Sequence, residues 1–298
     1  MKRIFILGSM FLFLFSCSSD KQTNENIVAE TVDSTSSTNK ISDEALLEVI
    51  KSIPSPIEIS MLIKKSGEGY DNKILNPSEN SSAYNSNFKR ALNLGIYGAD
   101  LGYINIYDKN KDALSYLTSI KKLADDLNIG QFYDFQTIQR LVQNSKNNDS
   151  LLYITTNNFE KINSFLQHKK RADQSVLILT GGWLEALHIS CEIAKKDKNP
   201  KLLEKIGEQK IVLDQILLLV SSFKNHGNMD ELANDLQSLK KVYDQITITY
   251  VYKESKMKEV NGVLTIVDQS ESKVNITDSQ VNEIAQIIDS IRHKVTQA

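Results

Sequence analysis

From Ser42 onward, apolar residues recur every three to four positions, the spacing that gathers them on one face of an α-helix. Ser42 caps a first helix carrying Leu46, Leu47 and Ile50, and Pro54 and Pro56 break it. A second helix, Ile57 to Lys65, ends near Gly67. The stretch Gly67 to Ser86, with Asp71, Asn72, Asn76 and Pro77, keeps no period and reads as loop. Further helices are expected at about 84–107, 111–127, 132–145, 149–168, 172–196, 200–223, 229–250 and 278–296. Three starts carry capping residues: Asn199 before Pro200, Asn228 with Glu231, and Thr277 with Gln280. Residues 246–252 and 263–267 alternate in the β manner, so they form either a short hairpin within 246–268 or the end of a helix reaching about Ser255. The expectation is the helix. The fold class is therefore all-α, a multi-helix bundle with at most a short β-hairpin near 246–268.

Two of these helices carry almost no charge. Between Ala91 and Tyr107 the only group ionised at neutral pH is Asp100, and between Ser175 and Ile189 only Glu185 and His188 interrupt the apolar run. Helices apolar on most sides belong at the centre of a bundle. Their small residues are spaced alike, Ala91, Gly95 and Ala99 with Gly98 and Gly102 in one, Gly182, Ala186, Ser190 and Ala194 in the other. A glycine inside a helix costs up to about 1 kcal/mol relative to alanine, and close backbone approach offsets that cost. The two stripes are therefore expected to face each other, and the match of Gly95-Ile96-Tyr97 with Gly181-Gly182-Trp183 suggests a weak internal duplication.

The amino terminus has a different pattern. Lys2 and Arg3 precede twelve largely apolar residues, Ile4 to Phe15, too few to span a bilayer as a helix, and Ser16-Cys17 follows. This order resembles the signal of bacterial lipoproteins. The resemblance implies cleavage before Cys17, acylation of that cysteine and anchoring to a cell-envelope membrane, with Ser18 favouring the outer membrane. Phe15 departs from the small residue usual there. A Ser-, Thr- and Asn-rich tail follows to about Ile41; it is too polar to fold alone, and as a tether of 24 residues it would reach about 25–30 Å. The organisation expected is signal 1–16, lipidated cysteine and tether 17–41, and one helical domain 42–298. The tail and the Asn, Lys and Ile usage are similar to those of helical lipoproteins of Bacteroidetes type.

Charge and cysteine count narrow the chemistry. Lys plus Arg number 35 against 37 acidic residues; loss of Lys2 and Arg3 with the signal leaves 33 and a charge of about −4, with no bias toward nucleic acid. With Cys17 lipidated, the mature domain has only Cys191, so no intrachain disulfide and no thiol-rich metal site is expected, and Cys191 is expected to be a packing residue. No phosphate-binding glycine loop, serine-hydrolase elbow or His-Glu-x-x-His motif occurs.

Glu185, His188 and Glu192 fall within one sector of a helix and, with Asp100 opposite, form a candidate site for one transition metal ion; the alternative is a polar edge in which His188 is satisfied by a carboxylate. Tyr97, Asp100, Tyr103 and Trp183 are candidate lining for a ligand pocket, their alternative being core residues with bonded hydroxyls. The reading is a non-enzymatic, membrane-anchored envelope lipoprotein, without a cofactor, that binds an envelope protein or a small ligand. A metal-binding or redox bundle and a structural subunit of an envelope complex are the alternatives.

Overall fold

The computed structural model describes residues 43–297 apart from Pro54, Ser66, 145–146, 261–262 and 268–270. The signal, Cys17 and the tether lie outside the described residues. Among those described, ten α-helices dominate: α1 (Asp43–Ser52), α2 (Pro56–Lys65), α3 (Asn87–Ile106), α4 (Asn110–Asp126), α5 (Phe135–Gln143), α6 (Asn148–His168), α7 (Ala172–Lys196), α8 (Pro200–Ser221), α9 (Met229–Tyr243) and α10 (Asp278–Thr296). The fold is an all-α multi-helix bundle. Short 3₁₀ turns at Asn72–Ile74 and Ser78–Ser82 punctuate the loop between α2 and α3.

Local chemistry explains several boundaries. Asn199 Oδ1 accepts from Lys201 N at the start of α8, and Thr277 and Gln280 form a reciprocal capping box at the start of α10. Asn228 makes no side-chain cap; Asp230 accepts from the backbone N–H of Asn225 instead, tightening the turn before α9.

The helix expected to continue to about Ser255 ends at Tyr243, and the region beyond is β. Strand β1 (Thr247–Val251) pairs antiparallel with β4 (Glu271–Asn275), with Ile248 opposite Val274, and β2 (Lys256–Val260) pairs with β3 (Val263–Val267). The hairpin within 246–268 therefore also has different partners from those its alternation suggested, because residues 271–275 are a strand too. Val274 lies against Gly207 of α8, where a Cβ would stand 2.4 Å from its Cγ1. That contact anchors the ribbon to the bundle.

At the centre α3 and α7 pack through their glycines. A Cβ on Gly95 would lie 1.9 Å from the Ile178 carbonyl oxygen, and one on Gly181 would lie 2.0 Å from that of Leu92. Both small-residue helices thus pack against each other, with backbone meeting backbone. Helix α7 is long and apolar enough to cross a membrane by length and composition, but its most apolar stretch is 89 % buried in the bundle, so it is a core helix. Cys191 lies on it, buried, and burial pushes its thiol pKa up.

Candidate functional site

Two neighbourhoods of the α3–α7 pair carry chemistry. The first is a buried polar cluster. Glu185 of α7, fully buried, accepts two hydrogen bonds from Arg292 of α10, Nε to Oε2 at 2.6 Å and Nη2 to Oε1 at 2.8 Å. Three residues along each helix, His188 Nδ1 meets Asp289 Oδ1 at 2.7 Å. The pairs Glu185–Arg292 and His188–Asp289 form a two-rung ladder between antiparallel helices. One carbonyl closes it: Ile74 O accepts from His188 Nε2 at 2.9 Å and from Arg292 Nη2 at 3.3 Å. Asn76, two residues on, donates its backbone N–H to Asp100 Oδ2 at 3.3 Å and its side-chain amide to Tyr84 and Asn93. The loop between α2 and α3 is thereby fixed to three helices.

Asp100 is fully buried, and its Oδ1 is sealed from solvent with no donor facing it. Burial, then the neighbouring Glu185 carboxylate, push its pKa well above the usual carboxylate range, against the opposing pull of Arg292. A proton on Asp100 lets it donate to Glu185 and accounts for the missing donor. Because the folded-state pKa is raised above the unfolded value of 3.8, this group's contribution to stability is complete below that pH and is lost as pH rises through the folded value. Asp100→Asn keeps a donor toward Glu185 and an acceptor for Asn76 without titrating. Its Tm advantage over the native chain is expected to widen from about pH 4 to about pH 8. An offset independent of pH would exclude the proton from Asp100.

The residues singled out for metal binding separate in this arrangement. Glu185 and Asp100 join Arg292, whereas His188 and Glu192 gather with Asp289, their ligand-type atoms all within 4.8 Å of one another. Lys195 already supplies a cation there, paired with Glu192 and, at 3.5 Å, with Asp289. Burial of Asp289 opposes its ionisation, but the hydrogen bond from His188 and the charges of His188 and Lys195 outweigh it and hold its pKa low.

The second neighbourhood is a cavity of about 500 Å³ bounded by α1 to α7, within the range of about 300–1,000 Å³ typical of ligand sites. Its wall is largely aliphatic, from Ile53, Ile57, Leu94, Leu141, Ile154 and Ile178. Gly98 is unlike the other glycines of α3. It is exposed, lines the cavity, and has no atom within 4 Å of where its Cβ would be. No packing requires a glycine there, and any side chain would project into the space.

Of the four residues proposed as pocket lining, Trp183 lines this cavity, with its indole N–H donated to Gln209 at 2.9 Å. Tyr97, Tyr103 and Asp100 instead serve the loop: Tyr97 donates to the Pro77 carbonyl at 2.8 Å, and Tyr103 OH accepts from the backbone N–H of Asp71 at 3.2 Å. Asn163 of α6 was not anticipated. It is 1 % exposed and lines the cavity, and its Oδ1 accepts from Ser175 at 2.5 Å and from Gln167 at 3.4 Å. Among the described residues no acceptor meets its Nδ2. The sealed, partnerless polar atoms are Arg90 Nε and Asp100 Oδ1, so the Asn163 amide nitrogen keeps a small accessible surface. The Tyr133 hydroxyl, also on the cavity, has no partner among the described residues, and burial pushes its pKa up.

No family model, curated protein or solved structure matches this chain.

Proposed function

We propose that this domain binds a small apolar ligand in the cavity beside α3 and α7, as a non-enzymatic lipoprotein held at a bacterial cell-envelope membrane through acylated Cys17. The observation that carries the binding reading is Gly98. A helix-interior glycine costs up to about 1 kcal/mol relative to alanine, and here neither packing nor backbone geometry offsets that cost. The empty Cβ position keeps open a space walled by aliphatic side chains. The order of elements in residues 1–17 supports the anchor, and the outer membrane is the favoured location. The polar ladder supports the fold around the cavity: its groups are paired with one another and with the chain, and Lys195 stands among the carboxylates a metal would use.

Filling the space at Gly98 tests this. Gly98→Ala is expected to raise stability by up to about 1 kcal/mol, since the helix gains propensity and meets no clash. Gly98→Leu is expected to stay folded and to abolish saturable binding of N-phenyl-1-naphthylamine, followed by its fluorescence. Equal saturable binding by the native and Gly98→Leu proteins would place the probe elsewhere and refute the proposal.

A further inference from the structure

The lining of the cavity also restricts the charge and the functional groups of its occupant, an inference that rests on the cavity being a ligand site. Among the described lining residues none is a cation, and the one ionisable acid is Glu160, which is exposed. An anionic head group inside would be desolvated without a partner, and a cationic one would find its counter-charge only where water already solvates it. What the lining offers is neutral: the unpartnered Nδ2 of Asn163, buried and oriented by Ser175 and Gln167, Tyr133, and the half-buried Thr137, Thr155 and Asn158.

Asn163 is set up as a donor. Ser175 and Gln167 both donate to its Oδ1, which fixes the amide and leaves the N–H of this cavity-lining residue free to donate to an occupant. An apolar ligand with no acceptor would leave that N–H unsatisfied, at the cost of a buried donor without a partner. We infer that the cavity takes an uncharged amphiphile, an alkyl or ring body bearing a carbonyl, ester or ether oxygen that accepts from Asn163 Nδ2. Asn163 is the residue that selects it. In an envelope lipoprotein, neutral lipids and their glycerol esters have this chemistry.

Displacement of N-phenyl-1-naphthylamine from the full folded domain by three ligands with one chain length tests this: monodecanoylglycerol, decanoate and decyltrimethylammonium, each below its micelle concentration at about pH 8. The neutral ester is expected to compete at least about tenfold better than either ion, a difference of about 1.4 kcal/mol. Asn163→Asp retains the acceptor for Ser175 and Gln167 but removes the N–H, and Asn163→Leu removes both. Both variants are expected to lose the preference for the ester, read on each protein as the ratio of the ester's competition constant to decanoate's. Competition by decanoate equal to the ester, or a preference for the ester surviving in both variants, would overturn the inference while leaving the cavity a ligand site. Probe binding unaffected by Gly98→Leu would overturn both.

Discussion

Gly181→Ala is expected to lower the stability of the domain by about 3 kcal/mol or more, a large share of the roughly 5–15 kcal/mol that holds a typical domain together. The methyl group would stand 2.0 Å from the Leu92 carbonyl oxygen, 2.8 Å from its carbon and 3.0 Å from its Cα. All three belong to helix backbone, which cannot rotate aside as a side chain would. Relief requires α3 and α7 to separate, and that loosens the core on both sides of the contact. Gly95→Ala meets the Ile178 carbonyl at 1.9 Å and is expected to behave alike. In urea the midpoint should fall with little change in slope. Gly98→Ala, on the same helix with open space above it, separates the effect of contact from that of helix propensity. A Gly181→Ala protein within about 0.5 kcal/mol of the native one would show that the two backbones do not touch.

Arg292→Ala is expected to cost about 3–5 kcal/mol, because it leaves the fully buried Glu185 without its counter-charge and beside a second buried carboxyl, Asp100. It also removes one of the two donors to the Ile74 carbonyl, weakening the hold on the loop. The double replacement Glu185→Gln with Arg292→Met removes the charge together with its partner and is expected to recover most of the loss. Thermal unfolding of the native chain, both single variants and the double gives the coupling directly. Additive effects of the two replacements would rule out the ion pair as the source.

The parts of this fold that the sequence made legible are those set by near neighbours. Helix α7 runs as its periodicity predicts, 172–196, and α10 as its periodicity and cap predict, 278–296, and the paired small-residue stripes were readable because a glycine in an apolar helix needs a reason. The end of α9 was not readable. Val242, Tyr243 and Ile246 continue the helical spacing and no glycine or proline intervenes. What stops the helix is non-local: the Ile246 carbonyl accepts from Lys210 at 2.7 Å, and β1 finds its partner at residues 271–275.

The same distinction governs the sites. The sequence selected α3, α7 and Trp183, but which face of α3 meets the cavity depends on the loop that captures Tyr97 and Tyr103 on the other. The Glu185–His188 spacing was visible. Arg292 and Asp289, which answer it at the same spacing on α10, lie about a hundred residues away and could not be paired with it from order alone. Asn163 did leave a signal, a polar residue four positions from Phe159 in an otherwise apolar sector of α6 with Ile162 and Leu166.

Cys191 gives the folded domain a reporter of its own opening. It is the only cysteine among the described residues, is 1 % exposed, and belongs to the helix that contributes to both the cavity and the ladder. A thiol in that position can be alkylated only while α7 is uncovered, so the pace of labelling measures how often the centre of the bundle breathes. An occupant of the cavity that binds the closed form alone must slow that pace in proportion to its occupancy, without any dye or tag added to the protein.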